Sequence, residues 1–140
     1  KFENKKYSSN KKEIIGGFAL NVGNPHVIFF VNDLDKFNLS KIGPEIENHT
    51  FFPEKCNVTL ASIKNKKKIK VKVWERGAGL TKACGTAACA TGVAGSVLML
   101  NDRSVDIEFE EGLININWDK DNNIYMKGKV SEIKKITINL

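Results

Sequence analysis

The sequence predicts an α+β fold, with a bent, antiparallel-rich β sheet forming a barrel-like cradle around one central buried helix. Three observations lead there. Residues 84–100 contain no charged side chain and consist of Ala, Gly, small and aliphatic residues, the composition of a helix buried on most of its faces. Around that stretch lie seven or eight short segments rich in β-branched and aromatic residues, separated by turn residues. The chain of 140 residues is long enough to bury one core of ordinary size, and nothing in it repeats.

Taken in order, residues 1–12 are polar and lysine-rich and read as an arm or linker stub, with the domain running from 13 to 140. Residues 17–22 and 27–32 read as strands. Residues 39–49 read as a short helix, with Ser40 as its N-cap and Pro44 in its first turn. Residues 57–64 and 68–75 form two strands joined at Asn65-Lys66. In the second, Ile69, Val71 and Val73 alternate with Lys70, Lys72 and Trp74, so one face is buried and the other largely wet. Strands are expected again at 104–109, 113–118, 123–128 and 130–139, with a turn at Asp119–Asn122.

The charge balance excludes less than it suggests. The net charge is +6, yet 20 of the 22 basic residues are lysine, and only Arg76 and Arg103 are arginine. Phosphate and base-edge recognition favour arginine forks, and no aromatic residues interleave the Lys64–Lys72 run, so it reads as a solvated turn and strand edge rather than a nucleic-acid site. No apolar run approaches the ~20 residues of a membrane-spanning helix. Cys56, Cys84 and Cys89 follow neither a disulfide framework nor a zinc spacing, which points to reduced thiols in a cytoplasmic setting.

Four spots carry candidate chemistry. Gly23-Asn24-Pro25-His26 is a rigid turn that brings two polar side chains, Asn24 and His26, to one place. Glu75-Arg76-Gly77-Ala78-Gly79 ends a strand with a carboxylate and a rare guanidinium, then a glycine turn. At Cys84-Gly85-Thr86 a thiol meets the start of the buried helix. Orphan N–H groups and the positive dipole end should lower its pKa there, and the amides of Gly85 and Thr86 can hold a carboxylate. Asn57 opens a strand after Phe52-Pro53. His49, Cys56 and Cys89 read as structural. The residues alone indicate a cysteine-dependent enzyme acting on a small zwitterionic carboxylate.

In this order and spacing, GNPH, FP-x-x-x-N-V, VWERGAG and ACGT-x-A-C-A resemble the C-terminal half of diaminopimelate epimerase, over about residues 15–138. Ala87 stands for the family's common Gly, and Lys127-Gly128-Lys129 departs from its usual Thr-Gly-Pro. The resemblance implies a cofactor-independent, metal-free isomerase that interconverts LL- and meso-diaminopimelate with two opposed cysteines, for lysine and peptidoglycan-precursor biosynthesis. Each half of the family fold is a β-rich cradle around a helix aimed at the substrate α-carboxylate. By position, Cys84 is one acid/base thiol, and the catalytic His26 and Glu75 adjust its proton transfers and contact the reacting amino acid. Gly85 and Thr86 bind the α-carboxylate, and Asn24, Asn57 and Arg76 hold the distal end. The second thiol, in a Cys-Gly-Asn-Gly type motif, belongs to the N-terminal half and is missing here. The chain is therefore expected to be inactive alone and to need that half as partner; a homodimer of the full-length protein is left open. Another racemase of the same superfamily and a stand-alone amino-acid-binding module are the alternatives.

Overall fold

The computed structural model describes residues 7–9, 12–14, 16–130 and 135–138. Two short strands, β1 (Tyr7–Ser9) and β2 (Lys12–Ile14), pair antiparallel on their own. The main sheet holds β3 (Phe18–Asn21), β4 (Pro25–Phe30), β5 (Asn57–Asn65), β6 (Lys68–Glu75), β7 (Gly79–Thr81), β8 (Ser104–Phe109), β9 (Gly112–Trp118) and β10 (Ile124–Gly128). Its order is β10-β9-β8-β6-β5-β4-β3, with β7 added alongside β6. All pairings are antiparallel except β4 with β5 and β6 with β8.

Those two parallel pairs decide the architecture, because each requires a crossover connection. The first passes through a 3-10 turn at Leu34–Lys36 and helix α1 (Leu39–Glu47); the second through β7 and helix α2 (Gly85–Val97). The helices cover opposite faces. Strand alternation sends Ile28, Ala61, Ile69, Val71, Val73, Val105, Ile107 and Ile116 into one cluster with the alanines of α2. It sends Val27, Phe29, Val58 and Leu60 into a second cluster with Leu39, Ile42 and Ile46 of α1. The small residues of α2 permit close approach: a Cβ on Gly92 would lie 3.0 Å from Ile116 Cγ2 and 3.3 Å from Val105 Cγ1. The helix ends in a Schellman arrangement, with Leu100 N–H donating to Gly95 O at 2.8 Å and Met99 N–H to Ser96 O at 3.0 Å, Met99 taking the left-handed conformation.

Some expectations change. The α1 cap is Asn38, not Ser40; its side-chain oxygen accepts from Lys41 N–H at 3.3 Å. Pro44 consequently lies inside the helix rather than in its first turn. The bond it cannot donate would go to the carbonyl of Ser40, an exposed position that water reaches. The face of β6 opposite the core is wet only in part, because α1 covers Trp74 at its end. Gly79, expected to end a glycine turn, instead opens a short strand with Leu80 and Thr81. Residues 129, 130 and 135–138 are in no strand; the rest of the strand expected at 130–139 lies outside the described residues.

Candidate active site

The sheet register aligns three of the singled-out side chains on one rung. His26 of β4 is opposite Asn57 of β5. Val58 pairs with Trp74, which sets Asn57 opposite Glu75 of β6. Counting by twos from Ile28, Ala61 and Val73 places all three on the face that packs α2. The helix starts at this end of the sheet, with Cys84 in extended conformation (φ −150°, ψ 112°) as its N-cap residue.

A chain of contacts crosses the site. His26 Nε2 meets Asn24 Oδ1 at 3.0 Å, and Asn24 Nδ2 donates to Thr86 Oγ1 at 3.4 Å. Thr86 Oγ1 lies 3.5 Å from Cys84 Sγ. Glu75 stands beside that thiol and accepts from Thr81 Oγ1 at 2.6 Å. With Asn24 Oδ1 as acceptor, the imidazole proton sits on Nε2, and the bare Nδ1 is buried without a hydrogen-bond partner. Burial, aided by the Arg76 charge, holds the His26 pKa down at about 4, so the ring is neutral near pH 7.

Asn57 holds two backbone segments together. Its amide donates to Pro25 O at 3.0 Å and accepts from Arg76 N–H at 3.0 Å. The Arg76 guanidinium donates to Glu54 O at 2.9 Å. Gly77 and Gly79, at φ 75° and 90°, let the turn reverse there.

The thiol differs from the sequence expectation in its charge state. Burial raises the Cys84 pKa, and the Glu75 carboxylate raises it further, against the Thr86 hydroxyl and the Ala87 N–H, which lower it. The helix terminus acts as expected, but desolvation outweighs it. Cys56 sits on the other side of the sheet, its thiol 3.9 Å from Ile46 O; burial and the neighbouring Glu47 carboxylate push it up to about 12. Cys89 lies one turn along α2 and is also raised by burial. One thiol therefore faces the site.

Asn24, His26, Asn57, Glu75, Cys84 and Thr86 come together here; Gly85 opens α2 beside Cys84, and Arg76 joins through its backbone N–H while its guanidinium rests on Glu54 O. Two others that support them were not singled out. Thr81 supports Glu75 from a three-residue strand that no local pattern in the sequence marks. Glu47 is buried and takes Trp74 Nε1–H at 2.7 Å and Gly77 N–H at 3.0 Å. Its only trace in the sequence is a position one helical turn after Gly43, flanking the apolar stripe of α1. Among the described residues no group of His, Cys, Asp or Glu is arranged to hold a metal, and no helix is long and apolar enough to cross a membrane.

The family model described as diaminopimelate epimerase matches residues 18–133. A diaminopimelate epimerase of Pelagibacter ubique is 62% identical over 131 residues, 94% of this chain and 48% of the relative. One from Rhodopseudomonas palustris (strain TIE-1) is 49% identical over 111 residues, 79% of this chain and 38% of the relative. The chain thus spans less than half the length of these relatives. Among solved structures, a Bacillus anthracis phenazine biosynthesis protein of the PhzF family superimposes with a TM-score of 0.53 at 17% identity, over 79% of this chain and 37% of that one. A likeness at that identity speaks for the fold: a curled mixed sheet with two helices.

Proposed function

The chain belongs to the diaminopimelate epimerase family, and we propose that it is the C-terminal catalytic half of such an enzyme, inverting the α-carbon of diaminopimelate in lysine and peptidoglycan-precursor biosynthesis. The observation that carries this reading is the thiol of Cys84 at the start of a buried, uncharged helix, joined through Thr86 and Asn24 to a neutral His26 and flanked by Glu75.

The proposed chemistry follows from these positions. The α-carboxylate binds the first N–H groups of α2, at Gly85 and Thr86, where the helix dipole stabilises the negative charge that grows as the α-proton leaves. Inversion requires an acid on one face and a base on the other. In one direction a thiolate takes the α-proton while the opposed thiol gives its own proton to the other face; in the reverse direction the roles exchange. Cys84 supplies one of these groups. Cys56 is behind the sheet and Cys89 lies within α2, which supports the reading that the second comes from another half, with a cytoplasmic enzyme of two such cradles as the proposed working unit. Glu75 and His26 set the polarity around the thiol. Asn24, Asn57 and Arg76 hold the distal end, with Arg76 as partner of its carboxylate.

The test is α-deuterium exchange. Incubated with LL-diaminopimelate in deuterated water, the 140-residue chain alone is expected to give no wash-in, and adding the N-terminal half of the enzyme is expected to restore it. Exchange with inversion by the chain alone would overturn the half-site reading. Tight diaminopimelate binding that survives Cys84→Ala, with no activity on complementation, would favour a binding module. An Arg76→Ala variant that kept full affinity for diaminopimelate would favour a racemase of different substrate choice.

A further inference from the structure

The turn that carries Arg76 is built to be soft, yet it is held from both sides of the sheet. Gly77 and Gly79 give it two positive φ angles, and its residues 76–78 are exposed. Even so, both peptide planes flanking Arg76 end on buried side chains. The Arg76 N–H donates to Asn57 Oδ1 at 3.0 Å, on the face of α2. The next N–H, of Gly77, donates to Glu47 Oε1 at 3.0 Å, a carboxylate from α1 on the opposite face. The other oxygen of the same carboxylate takes Trp74 Nε1–H at 2.7 Å. Trp74 is in turn pressed flat against α1 at Gly43, where a Cβ would fall 2.5 Å from the indole Cγ. Glu47 is only 5% exposed, so burial of its charge is offset by these two bonds.

A buried acid needed for packing alone would be satisfied by the indole. Spending its second oxygen on the backbone of an exposed turn fixes where that turn sits. We propose that Glu47 is a positioning residue for Arg76: by holding the Gly77 amide it sets the direction from which the guanidinium meets the distal carboxylate of the substrate. This inference rests on the reading that Arg76 binds that carboxylate. Glu47 touches neither the substrate nor the reacting atoms; it acts through the turn.

The experiment is a double-mutant cycle in the full enzyme that contains this chain, read as KM and kcat for diaminopimelate. In Glu47→Gln the side chain keeps one acceptor oxygen and turns an amide donor toward the other N–H, so one of the two bonds is lost. The expected result is a rise in KM of about tenfold, the effect of one charge-assisted hydrogen bond, with kcat within about twofold. In the Arg76→Ala background the same substitution is expected to add nothing to KM. Loss of folded enzyme would instead lower apparent kcat and leave KM alone, and that result overturns the proposal. So does a KM rise that persists undiminished without Arg76. If Arg76→Ala raises KM and Glu47→Gln does not, the role of Glu47 fails while the distal-end reading stands. If Arg76→Ala leaves KM unchanged, the distal-end reading fails, and this inference with it. Should Glu47→Gln not fold, Glu47→Asp takes its place, since it keeps the charge but draws the carboxylate back from the Gly77 N–H. It is expected to raise KM in the same way, with the rise vanishing in the Arg76→Ala background; no rise overturns the proposal.

Discussion

Gly43→Ala tests how α1 is docked, and the structure allows the sign to be worked out. Gly43 sits in mid-helix, so the substitution adds about 1 kcal/mol of helix propensity. Against this, the new Cβ would lie 2.5 Å from Trp74 Cγ and 2.6 Å from Cδ2, roughly 1 Å inside ordinary carbon contact. The obstacle is a rigid ring whose far side is tied to Glu47 by a 2.7 Å hydrogen bond. The ring cannot swing away without losing that bond, so the helix must lift. Overpacking of this kind costs about 1–3 kcal/mol, and the stretched indole bond about 1 kcal/mol more. The propensity gain offsets only part of this, leaving a net destabilisation of about 1–3 kcal/mol, or roughly 3–10 °C in Tm for a domain of this size. Urea and thermal unfolding of the chain, followed by circular dichroism, measure it. Gly85→Ala is the control: its Cβ would meet Met126 Sδ at 3.0 Å, the end of a flexible and exposed side chain that can move aside, so its stability should stay within about 0.5 kcal/mol. A Gly43→Ala chain as stable as the parent would refute the claim that α1 is pinned to Trp74.

His26 predicts a pH dependence of folding. Its folded pKa is near 4 against 6.5 unfolded, so between those values the unfolded chain binds more protons. This contribution to stability is complete above about pH 6.5 and is lost as pH falls toward 4, on the order of 3 kcal/mol in all. Urea midpoints measured from pH 4 to 7 should show it, His26→Gln should flatten the curve, and an unchanged slope in that variant would count against it. Among the thiols, iodoacetamide labelling mapped by mass spectrometry should find Cys84 titrating above a free cysteine. Thr86→Val should move that midpoint further up and Glu75→Gln should move it down, since the hydroxyl favours the thiolate and the carboxylate opposes it. Cys56, near 12, should label only on unfolding.

What could be read from the sequence was what local pattern encodes. The alternation in residues 68–75 marks β6 with its true bounds, and the uncharged stretch after Cys84 marks α2. The start of α1 was harder, because Asn38 and Ser40 are both capable caps and Pro44 favours the later start on propensity alone; packing of Leu39, a buried residue, favours the earlier one. Strand β7 is three residues long and owes its form to pairing with β6, which no local signal announces. The site residues were visible as residue types and as spacings. That His26, Asn57 and Glu75 share one rung was not, because it depends on the parallel pairing of β4 with β5. The pKa of Cys84 departs from what its helix position implies for the same reason: a helix terminus is local, whereas desolvation is set by everything packed around it.

The position of the site follows from the second crossover. In a strand–helix–parallel-strand unit, the end of the first strand and the start of the helix lie together, and ligands favour that end. Here the strand is β6 and the helix is α2, so Glu75 and Cys84 are neighbours by topology. β5 runs antiparallel to β6, and β4 runs with β5, so the beginnings of both strands arrive at the same end and deliver Asn57 and His26 there. This also accounts for an uncharged α2. No acidic side chain lies in its first turn to occupy the N–H groups, and no basic one lies in its last turn to compensate the opposite pole. The field of the helix is therefore left for an anion from outside. In the proposed reaction that anion is the substrate carboxylate. The same field favours a thiolate at Cys84, yet burial and the Glu75 carboxylate push its pKa up. An inverting pair needs one protonated and one ionised thiol at the start of each turnover. In the proposed reaction, a Cys84 thiol raised by desolvation suits the proton-donating role in one direction, and the roles exchange in the other.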